Sequence, residues 1–422
     1  MVKDILIQQK YEKEELIRKD YVIRNQLDIA KYALDNDIIK VITGPRRAGK
    51  STFAFLLLKK SDFAYANFDD ERFLTIENYD EILKGIFEVY PDVKIIFFDE
   101  IQNLKNWELF ATRLHRRGYN LILTGSNAHL LSKEMATSLT GRHIPIEILP
   151  FSFKEYLTNA NTEVDIEERG LAPESVGNIL SLLENYLEKG GFPEVVTKEI
   201  NQKQYLETLF DAIIFKDAVK RHKVKFSQKL YELSLYLVSN FTSEFTFNRL
   251  KNILDFNSIN TLQNYIGFLE ESYLFFSMNR FSFKMSQQLK AARKIYCTDN
   301  GFVMAKAFRF SPDIGRLMEN AVAVELVRRG YKINEKLFYY KTKTGKEIDF
   351  VVREGLHVVR LIQVCYETKA RHTLNRELAP FAEAGKELGC DDFLLITWND
   401  ESEYSLKNIE IKALPLWKWL LQ

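Results

Sequence analysis

The chain has 422 residues, of which 46% are hydrophobic and 28% charged, and its formal net charge is +1. This balance is typical of a folded globular protein and excludes both a disordered chain and a protein whose whole surface attracts polyanions. Three cysteines, Cys297, Cys365 and Cys390, lie far apart without a CxxC pair, which argues against a disulfide framework and a structural zinc site.

The N-terminal stretch "MVKDILIQQKYEKEELIRKDY" is charged throughout and lacks the apolar core of a signal peptide. No uncharged apolar run approaches the roughly 18 residues that cross a bilayer. We therefore expect a cytoplasmic protein with no membrane partner. The pattern of residues 1–36 predicts two polar amphipathic helices.

Residues 37–158 alternate apolar runs with helical patterns. The runs are "DIIKVITG", "FAYANF", "VKIIFFDE", "NLILTGS" and "HIPIEILP". Strands that are buried on both faces and separated by helices are typical of a parallel, doubly wound sheet. We therefore predict an α/β domain in this part of the chain.

Residues 41–53, "VITGPRRAGKSTF", predict a phosphate-binding loop, because a buried strand leads into G-x-x-x-x-G-K-[ST] and then into a helix. Gly44 and Gly49 would let backbone N–H groups curl around the β-phosphate of a nucleotide. Lys50 would reach the β- and γ-phosphates, and the Ser51 hydroxyl would ligate Mg²⁺. The expected ATP-binding residues are Gly44, Pro45, Arg46, Arg47, Ala48, Gly49, Lys50, Ser51 and Thr52.

The run "VKIIFFDEIQN" ends in Asp99 and Glu100 and predicts the acidic half of the same site. Asp99 would hold the Mg²⁺ shell, and Glu100 would polarise the attacking water. An Asp-Glu pair favours hydrolysis over a simple switch. Asp69 and Asp70, in "NFDDERF", either join the Mg²⁺ or nucleotide shell or cap a helix.

Two further residues are expected at the catalytic centre. The third strand ends in "TGSNA", where Ser126 or Asn127 would sense the γ-phosphate through the water. Arg142, in "SLTGRH", lies at a predicted subunit edge and is a candidate arginine finger that acts on a neighbouring copy. The alternative for Arg142 is a surface arginine.

These motifs resemble those of a known family, the archaeal and bacterial AAA+-type P-loop ATPases that are fused to a winged-helix segment and a restriction-endonuclease-like C-terminal domain. The resemblance covers residues 41 to about 196. It is carried by "GPRRAGKST", "YANFDDERF", "IIFFDEIQN", "LILTGSNAHLL", "LTGRHIPIEILPFSFKEYL" and "GGFPEVV". It implies ATP binding and hydrolysis by Lys50, Ser51, Asp99 and Glu100 and a functional arginine at Arg142. An arginine finger that acts on a neighbouring copy would in turn imply a homo-oligomer.

Residues 170–285 are helical by periodicity and show almost no strand signal. Three consecutive amphipathic helices followed by an aromatic pattern predict a winged helix, whose third helix, 258–271, is polar but not basic. A basic run lies upstream in "FKDAVKRHKVKFSQK". It offers a DNA contact through Lys220, Arg221, Lys223 and Lys225 or, alternatively, a solvated helix face.

Residues 286–422 return to a mixed α/β pattern, with the order helix, three strands, helix, strand that is typical of a restriction-endonuclease-like core. Its metal-binding set would be Glu319, Asp349 and Gln363. Cys365 stands where such enzymes carry a lysine, which Lys346 or Lys369 would have to replace. We expect a degenerate nuclease fold that binds without cleaving.

The sequence thus predicts three domains: the ATPase with N-terminal helices and a helical lid (1–200), the winged helix (201–285) and the endonuclease-like domain (286–422). The expected function is ATP hydrolysis coupled to DNA binding or remodelling. Two alternatives stay open, a nucleotide-dependent signalling or defence switch with a protein partner and an ATP-regulated nuclease.

Overall fold

A computed structural model describes residues 2–126, 141–164, 172–308, 313–406 and 408–422. The contacts divide the chain into two compact units, Met1–Pro150 with Glu271–Tyr273, and Phe151–Glu270 with Leu274–Gln422. The three-domain division with boundaries at 200 and 285 stays a prediction. Within the described ranges, no helix is both long and apolar enough to cross a bilayer.

The first unit is built on a five-stranded parallel sheet with the strand order β2-β3-β4-β1-β5. Its strands are β1 (Ile39–Thr43), β2 (Phe63–Asn67), β3 (Ile95–Asp99), β4 (Asn120–Gly125) and β5 (His143–Glu147). The three inner strands β3, β4 and β1 are almost wholly buried, as expected for strands covered by helices on both faces. The predicted α/β fold with a parallel sheet is confirmed.

Helices surround this sheet. They are α1 (Val2–Arg18), α2 (Leu27–Leu34), α3 (Lys50–Leu58), α4 (Tyr79–Val89) and α5 (Trp107–Arg116), with short 3-10 turns at Glu71–Thr75 and Ile101–Asn103. The two helices predicted for residues 1–36 are present as α1 and α2. Tyr273 also belongs to this unit, where its hydroxyl lies 3.1 Å from Thr43 Oγ1, directly before the glycine loop.

The second unit begins with helices and contains a small antiparallel sheet. Its first helices are α6 (Phe153–Asn159), α7 (Pro173–Lys189), α8 (Pro193–Thr197), α9 (Gln202–Ala212), a π-helix (Ile213–Lys220), α10 (Ser227–Ser239), α11 (Phe247–Ile253) and α12 (Ile259–Glu271). The sheet has the order β6-β8-β7 and consists of β6 (Glu244–Phe245), β7 (Phe275–Asn279) and β8 (Arg293–Cys297). The helical periodicity of residues 170–285 did not indicate β6, which is only two residues long. The aromatic pattern after the third helix forms β7, which pairs with β8 across a helical insertion, α13 (Met285–Lys290).

The C-terminal part is a six-stranded mixed sheet with the order β13-β14-β12-β11-β10-β9. Its elements are α14 (Asn300–Lys306), α15 (Ile314–Arg328), β9 (Leu337–Lys341), β10 (Glu347–Glu354), β11 (His357–Cys365), α16 (Arg371–Leu388), β12 (Phe393–Thr397), β13 (Ser402–Leu406), β14 (Ile409–Pro415) and α17 (Leu416–Leu421). The predicted order of helix, three strands, helix, strand is present from α15 to β12. One hydrophobic core runs from the helices of this unit into the six-stranded sheet.

Candidate functional site: a phosphate loop and an acidic strand end

The glycine loop joins β1 to α3, and two of its glycines are required by geometry. Gly44 has φ +145°, and a Cβ built on it would lie 2.0 Å from the carbonyl oxygen of Ile148. Gly49 has φ +91° and directly precedes the first residue of α3. Only glycine adopts such backbone angles without strain. The loop therefore presents backbone N–H groups and the positive end of a helix dipole to one point, which is the geometry that holds a phosphate.

The remaining loop residues surround that point. Lys50 is buried and donates a hydrogen bond to the carbonyl oxygen of Pro45 at 3.0 Å. Arg47 is exposed and has φ +66°, whereas Arg46 is half-buried. Pro45 and Ala48 are buried, and Ser51 and Thr52 are half-buried at the start of α3.

Arg24 supports the loop from the N-terminal segment. It is 3% exposed, and it donates to the carbonyl oxygens of Ala48 at 2.9 Å and Leu149 at 2.5 Å. The sequence offered no signal for this residue, because Arg24 lies 24 positions before Ala48 and outside the motif. Its two bonds join the glycine loop to the segment that follows β5.

Asp99 gathers three hydroxyl groups at the carboxyl end of β3. Ser51 Oγ donates to Asp99 Oδ1 at 2.8 Å, the Thr124 hydroxyl bonds the same oxygen, and the Tyr65 hydroxyl lies 3.2 Å from Oδ2. Burial and the neighbouring charge of Glu100 raise the pKa of Asp99 to about 6, although these hydroxyl bonds and Lys50 oppose the shift. A buried carboxylate beside a serine hydroxyl suits Mg²⁺, which prefers oxygen ligands and would supply the missing positive charge.

Glu100 is held in an unusual backbone conformation. Its φ is +51°, a region that non-glycine residues seldom adopt. Its N–H donates to Thr124 Oγ1 at 3.0 Å, and its carboxylate accepts a hydrogen bond from the Gln102 amide. Thr124 therefore bonds both the predicted metal ligand Asp99 and the predicted catalytic residue Glu100, a contact for which the sequence offers no signal.

Other polar residues follow the carboxyl ends of the neighbouring strands. Asp70 caps the 3-10 turn by accepting the Arg72 N–H at 3.1 Å, as the capping alternative predicted. Asp69 is exposed and accepts a bond from the Asn103 amide at 2.9 Å. Ser126 is 1% exposed, and its hydroxyl finds no hydrogen-bond partner among the described residues. Asn127 lies outside the described residues.

Arg142 lies at the end of the sheet where β1 and β5 begin, whereas the glycine loop lies at the end where β1 stops. It is exposed and directly precedes β5, and its carbonyl oxygen accepts the Ile39 N–H at the first residue of β1. The strand β5 has five residues, so at about 3.3 Å per residue the separation along the sheet is roughly 16 Å. Within one chain, Arg142 lies far from the phosphate loop.

The basic run follows and partly overlaps the π-helix. Lys220, Lys223 and Lys225 are exposed, whereas Arg221 is half-buried and lies 3.9 Å from the buried carboxylate of Asp217. Two aromatic side chains flank the lysines, Phe215 with 45% and Phe226 with 66% exposure.

The C-terminal set of Glu319, Asp349 and Gln363 lines one pocket of about 740 Å³. Glu347 also lines this pocket, and Lys294, from β8, forms ion pairs with Glu319, Glu347 and Asp349. Lys346, which the sequence suggested as a replacement lysine, lines this pocket, and its ammonium lies 3.5 Å from Glu383. Lys369, the other suggestion, is exposed and is not among the pocket residues.

Comparison with known proteins finds matches to three segments of the chain. Residues 36–157 match the family described as AAA domain, residues 180–313 match the domain of unknown function DUF8612, and residues 314–419 match the domain of unknown function DUF4143. The chain therefore contains an AAA-type ATPase domain, and the glycine loop, Asp99 and Glu100 lie inside it.

Two relatives match nearly the whole length of this chain. The chain is 36% identical over 427 residues to the uncharacterized protein MJ1544 of Methanocaldococcus jannaschii, covering 95% of this chain and 94% of that protein. It is 30% identical over 409 residues to an uncharacterized protein of Haemophilus influenzae, covering 92% and 95%. Among solved structures, the Walker-type ATPase PABY2304 of Pyrococcus abyssi aligns with 15% identity and a TM-score of 0.44 over 68% of this chain and 96% of that one.

Proposed function

This chain belongs to the family that includes the M. jannaschii protein MJ1544, with an AAA-type ATPase domain in its N-terminal part, and we propose that it binds ATP with Mg²⁺ at the glycine loop and hydrolyses it. One observation carries the proposal. The hydroxyl of Ser51, at the start of α3, lies 2.8 Å from the carboxylate of Asp99, at the end of β3. Two oxygen ligands from distant parts of the sequence thus meet beside the phosphate-binding backbone.

Each residue then has a definite task. The loop N–H groups and Lys50 bind the phosphates, while Ser51 and Asp99 would hold Mg²⁺, which when bound neutralises charge on the phosphate oxygens. Glu100 orients the attacking water and accepts its proton, and Thr124 keeps the Glu100 backbone in place. Ser126 is the candidate for contact with the γ-phosphate region. Its hydroxyl is buried and forms no hydrogen bond to any residue that the structure describes.

The test is ATP turnover by the wild type, Glu100→Gln and a control, Glu71→Gln, which changes an exposed acid of the same domain. Glu100→Gln is expected to bind ATP with the affinity of the wild type but to hydrolyse it about a hundredfold or more slowly, since the proton acceptor is gone. Glu71→Gln should behave as the wild type. Turnover that survives in Glu100→Gln would refute the assignment of Glu100.

We further propose that the protein binds DNA and couples ATP hydrolysis to DNA binding or remodelling. This proposal is supported by the exposed lysines Lys220, Lys223 and Lys225, which lie beside exposed Phe215 and Phe226. Lysines contact phosphates, and aromatic rings stack on unpaired bases. The order of α10, β6, α11, α12, β7 and β8 agrees with that expected for a winged helix and supports the same proposal. The exposed residues of α12, Asn260, Gln263 and Asn264, are polar and uncharged, so we assign the main phosphate contact to the lysines.

A triple charge reversal tests this contact. Lys220→Glu, Lys223→Glu and Lys225→Glu together should weaken binding of single-stranded DNA, measured by fluorescence anisotropy, and flatten its salt dependence. The matched control reverses Lys198, Lys203 and Lys336, three exposed lysines elsewhere in the same unit. Equal loss in both triple variants would mean that only net charge matters.

ATP turnover measured with single-stranded, duplex and branched DNA then separates the remaining functions. Stimulation by DNA supports a machine that acts on DNA. Slow turnover that is indifferent to DNA favours the nucleotide-dependent switch with a protein partner.

We further propose that the active form is a homo-oligomer, because Arg142 lies too far from the glycine loop of its own chain.

A further inference from the structure

A lysine lies at the centre of the C-terminal carboxylate cluster. Lys294 Nζ is 2.8 Å from Glu319 Oε1, 2.6 Å from Glu347 Oε1 and 3.2 Å from Asp349 Oδ1. The side chain of Lys294 is 3% exposed, and those of Glu319 and Asp349 are 13% and 9% exposed. Three carboxylates from α15 and β10 therefore surround one buried ammonium from β8.

Several oxygens of the cluster accept hydrogen bonds besides their contacts with Lys294. Asp349 Oδ2 accepts the Val364 N–H at 3.0 Å, and Glu319 Oε1 accepts a second bond from the Tyr296 hydroxyl at 2.9 Å. The amide oxygen of Gln363 accepts the Asp349 N–H at 3.1 Å, and the Gln363 amide nitrogen donates to Glu377 at 2.8 Å. Gln363 thus orients Asp349 and joins it to α16 instead of facing the centre of the cluster. No group of three or more His, Cys, Asp or Glu side chains within the described ranges has the geometry of a metal site.

The charge state of Lys294 is set by its surroundings. Burial would lower the pKa of Lys294, but the attraction of Glu319, Tyr296, Asp349 and Glu347 outweighs burial and raises this pKa well above its usual value. A second lysine, Lys341, lies 3.6 Å from the other oxygen of Glu347. A divalent cation in the cluster would have to displace a charged ammonium from three of its partners, and a buried ammonium without partners is very unfavourable.

We propose that the ammonium of Lys294 is the resident cation of this cluster, in the place that a divalent metal ion would take in a nuclease of this fold. The C-terminal domain therefore needs no metal ion at this position and cleaves no phosphodiester there. Instead, Lys294 joins β8 of the three-stranded sheet to the helix α15 and to strand β10 of the six-stranded sheet.

The test removes the ammonium and asks whether a metal ion takes its place. Nucleotide-free wild type, Lys294→Met and Lys294→Met/Asp349→Asn are titrated with Mn²⁺, and binding is followed by electron paramagnetic resonance and calorimetry. Lys294→Met is expected to gain a Mn²⁺ site with a Kd of roughly 10⁻⁴ M or tighter, because three carboxylates then face one another without a cation. The double variant should lose this site, and the wild type should lack it.

Lys346→Met is the matched control, since Lys346 lines the same pocket but its side chain is 43% exposed and paired with Glu383. It should gain no Mn²⁺ site. A wild-type Mn²⁺ site that disappears in Asp349→Asn would overturn the proposal, as would a folded Lys294→Met without a new site. If Lys294→Met does not fold, the comparison of wild type with Asp349→Asn decides alone, and identical Mn²⁺ binding by the two supports the proposal.

Discussion

At the scale of single residues, a buried aspartate explains the paired glycines of "GGFPEVV". Asp299 is 6% exposed, and it accepts the N–H groups of Gly191 at 2.7 Å and Gly301 at 2.8 Å. A Cβ on Gly190 would lie 1.8 Å from Asp299 Oδ1, and one on Gly191 would lie 2.2 Å from the carbonyl oxygen of Phe151. Both glycines are needed because backbone and carboxylate approach each other without room for a side chain.

Asp299→Asn should destabilise the protein, because an amide group places a donor against one of two backbone donors and costs about 1–3 kcal/mol. Burial raises the pKa of Asp299 from 3.8 to about 6. As the pH rises, Asp299 therefore ionises in the unfolded state before it ionises in the folded state. The folded wild type loses stability between about pH 4 and pH 6 as a result. Asparagine has no such titration, so the difference in melting temperature should be larger at pH 5 than at pH 7.5.

Asp255→Asn serves as the control for that experiment, since Asp255 is exposed and its replacement should leave the melting temperature unchanged at both pH values. A difference that widens from pH 5 to pH 7.5 would contradict the raised pKa of Asp299.

At the scale of secondary-structure elements, α1 covers an edge of the parallel sheet. The edge strand is β2, and Gln9 bonds both backbone groups of Asn67 there, donating to its oxygen at 3.0 Å and accepting its N–H at 2.9 Å. Lys13 donates to the carbonyl oxygen of Phe63, in the same strand, at 2.9 Å. Open strand edges promote aggregation. The buried polar residues of α1 cover this edge by bonding backbone groups of β2.

Gln9→Leu should therefore leave the N–H and C=O groups of Asn67 unsatisfied and destabilise the first unit by about 1–3 kcal/mol. The loss would be measured by urea denaturation, and light scattering would report any association through the open edge. Gln8→Leu is the matched control, because Gln8 is exposed on the same helix. Equal effects of the two substitutions would show that the bonds to Asn67 do not stabilise the sheet.

At the scale of the whole molecule, the position of Arg142 has a consequence for assembly. This exposed residue adjoins the first residues of β1 and β5, whereas the glycine loop follows the last residue of β1. An arginine that acts in catalysis from this end of the strands has to contact the nucleotide bound by another copy of the chain.

Arg142→Ala should reduce ATP turnover by about a thousandfold without weakening ATP binding, since the arginine contacts charge that develops in the transition state. Co-expression of Arg142→Ala with Lys50→Ala should restore part of the activity, because the second variant lends its intact arginine to the first. Arg117→Ala, at another exposed arginine, should retain full turnover. Two inactive variants that stay inactive together would rule out action between copies.

Much of the fold was predictable because its signals are local. Strand, glycine loop and helix are contiguous in residues 39–58, and the parallel sheet follows from apolar runs separated by helices. The strand β6 lacks a local signal, since a pair of residues such as Glu244–Phe245 becomes a strand only by pairing with β8.

Sequence alone predicted the phosphate-binding loop, because the glycines and their spacing in residues 44–52 are a local signal. Only the tertiary structure decided what surrounds the charged groups. Arg24 reaches the glycine loop, Thr124 bonds both acids, and Lys294 enters a carboxylate cluster whose members lie 25 to 55 positions away. The physical reason is that a buried charge takes its partner from whichever element packs against it, and no spacing in the chain encodes that choice.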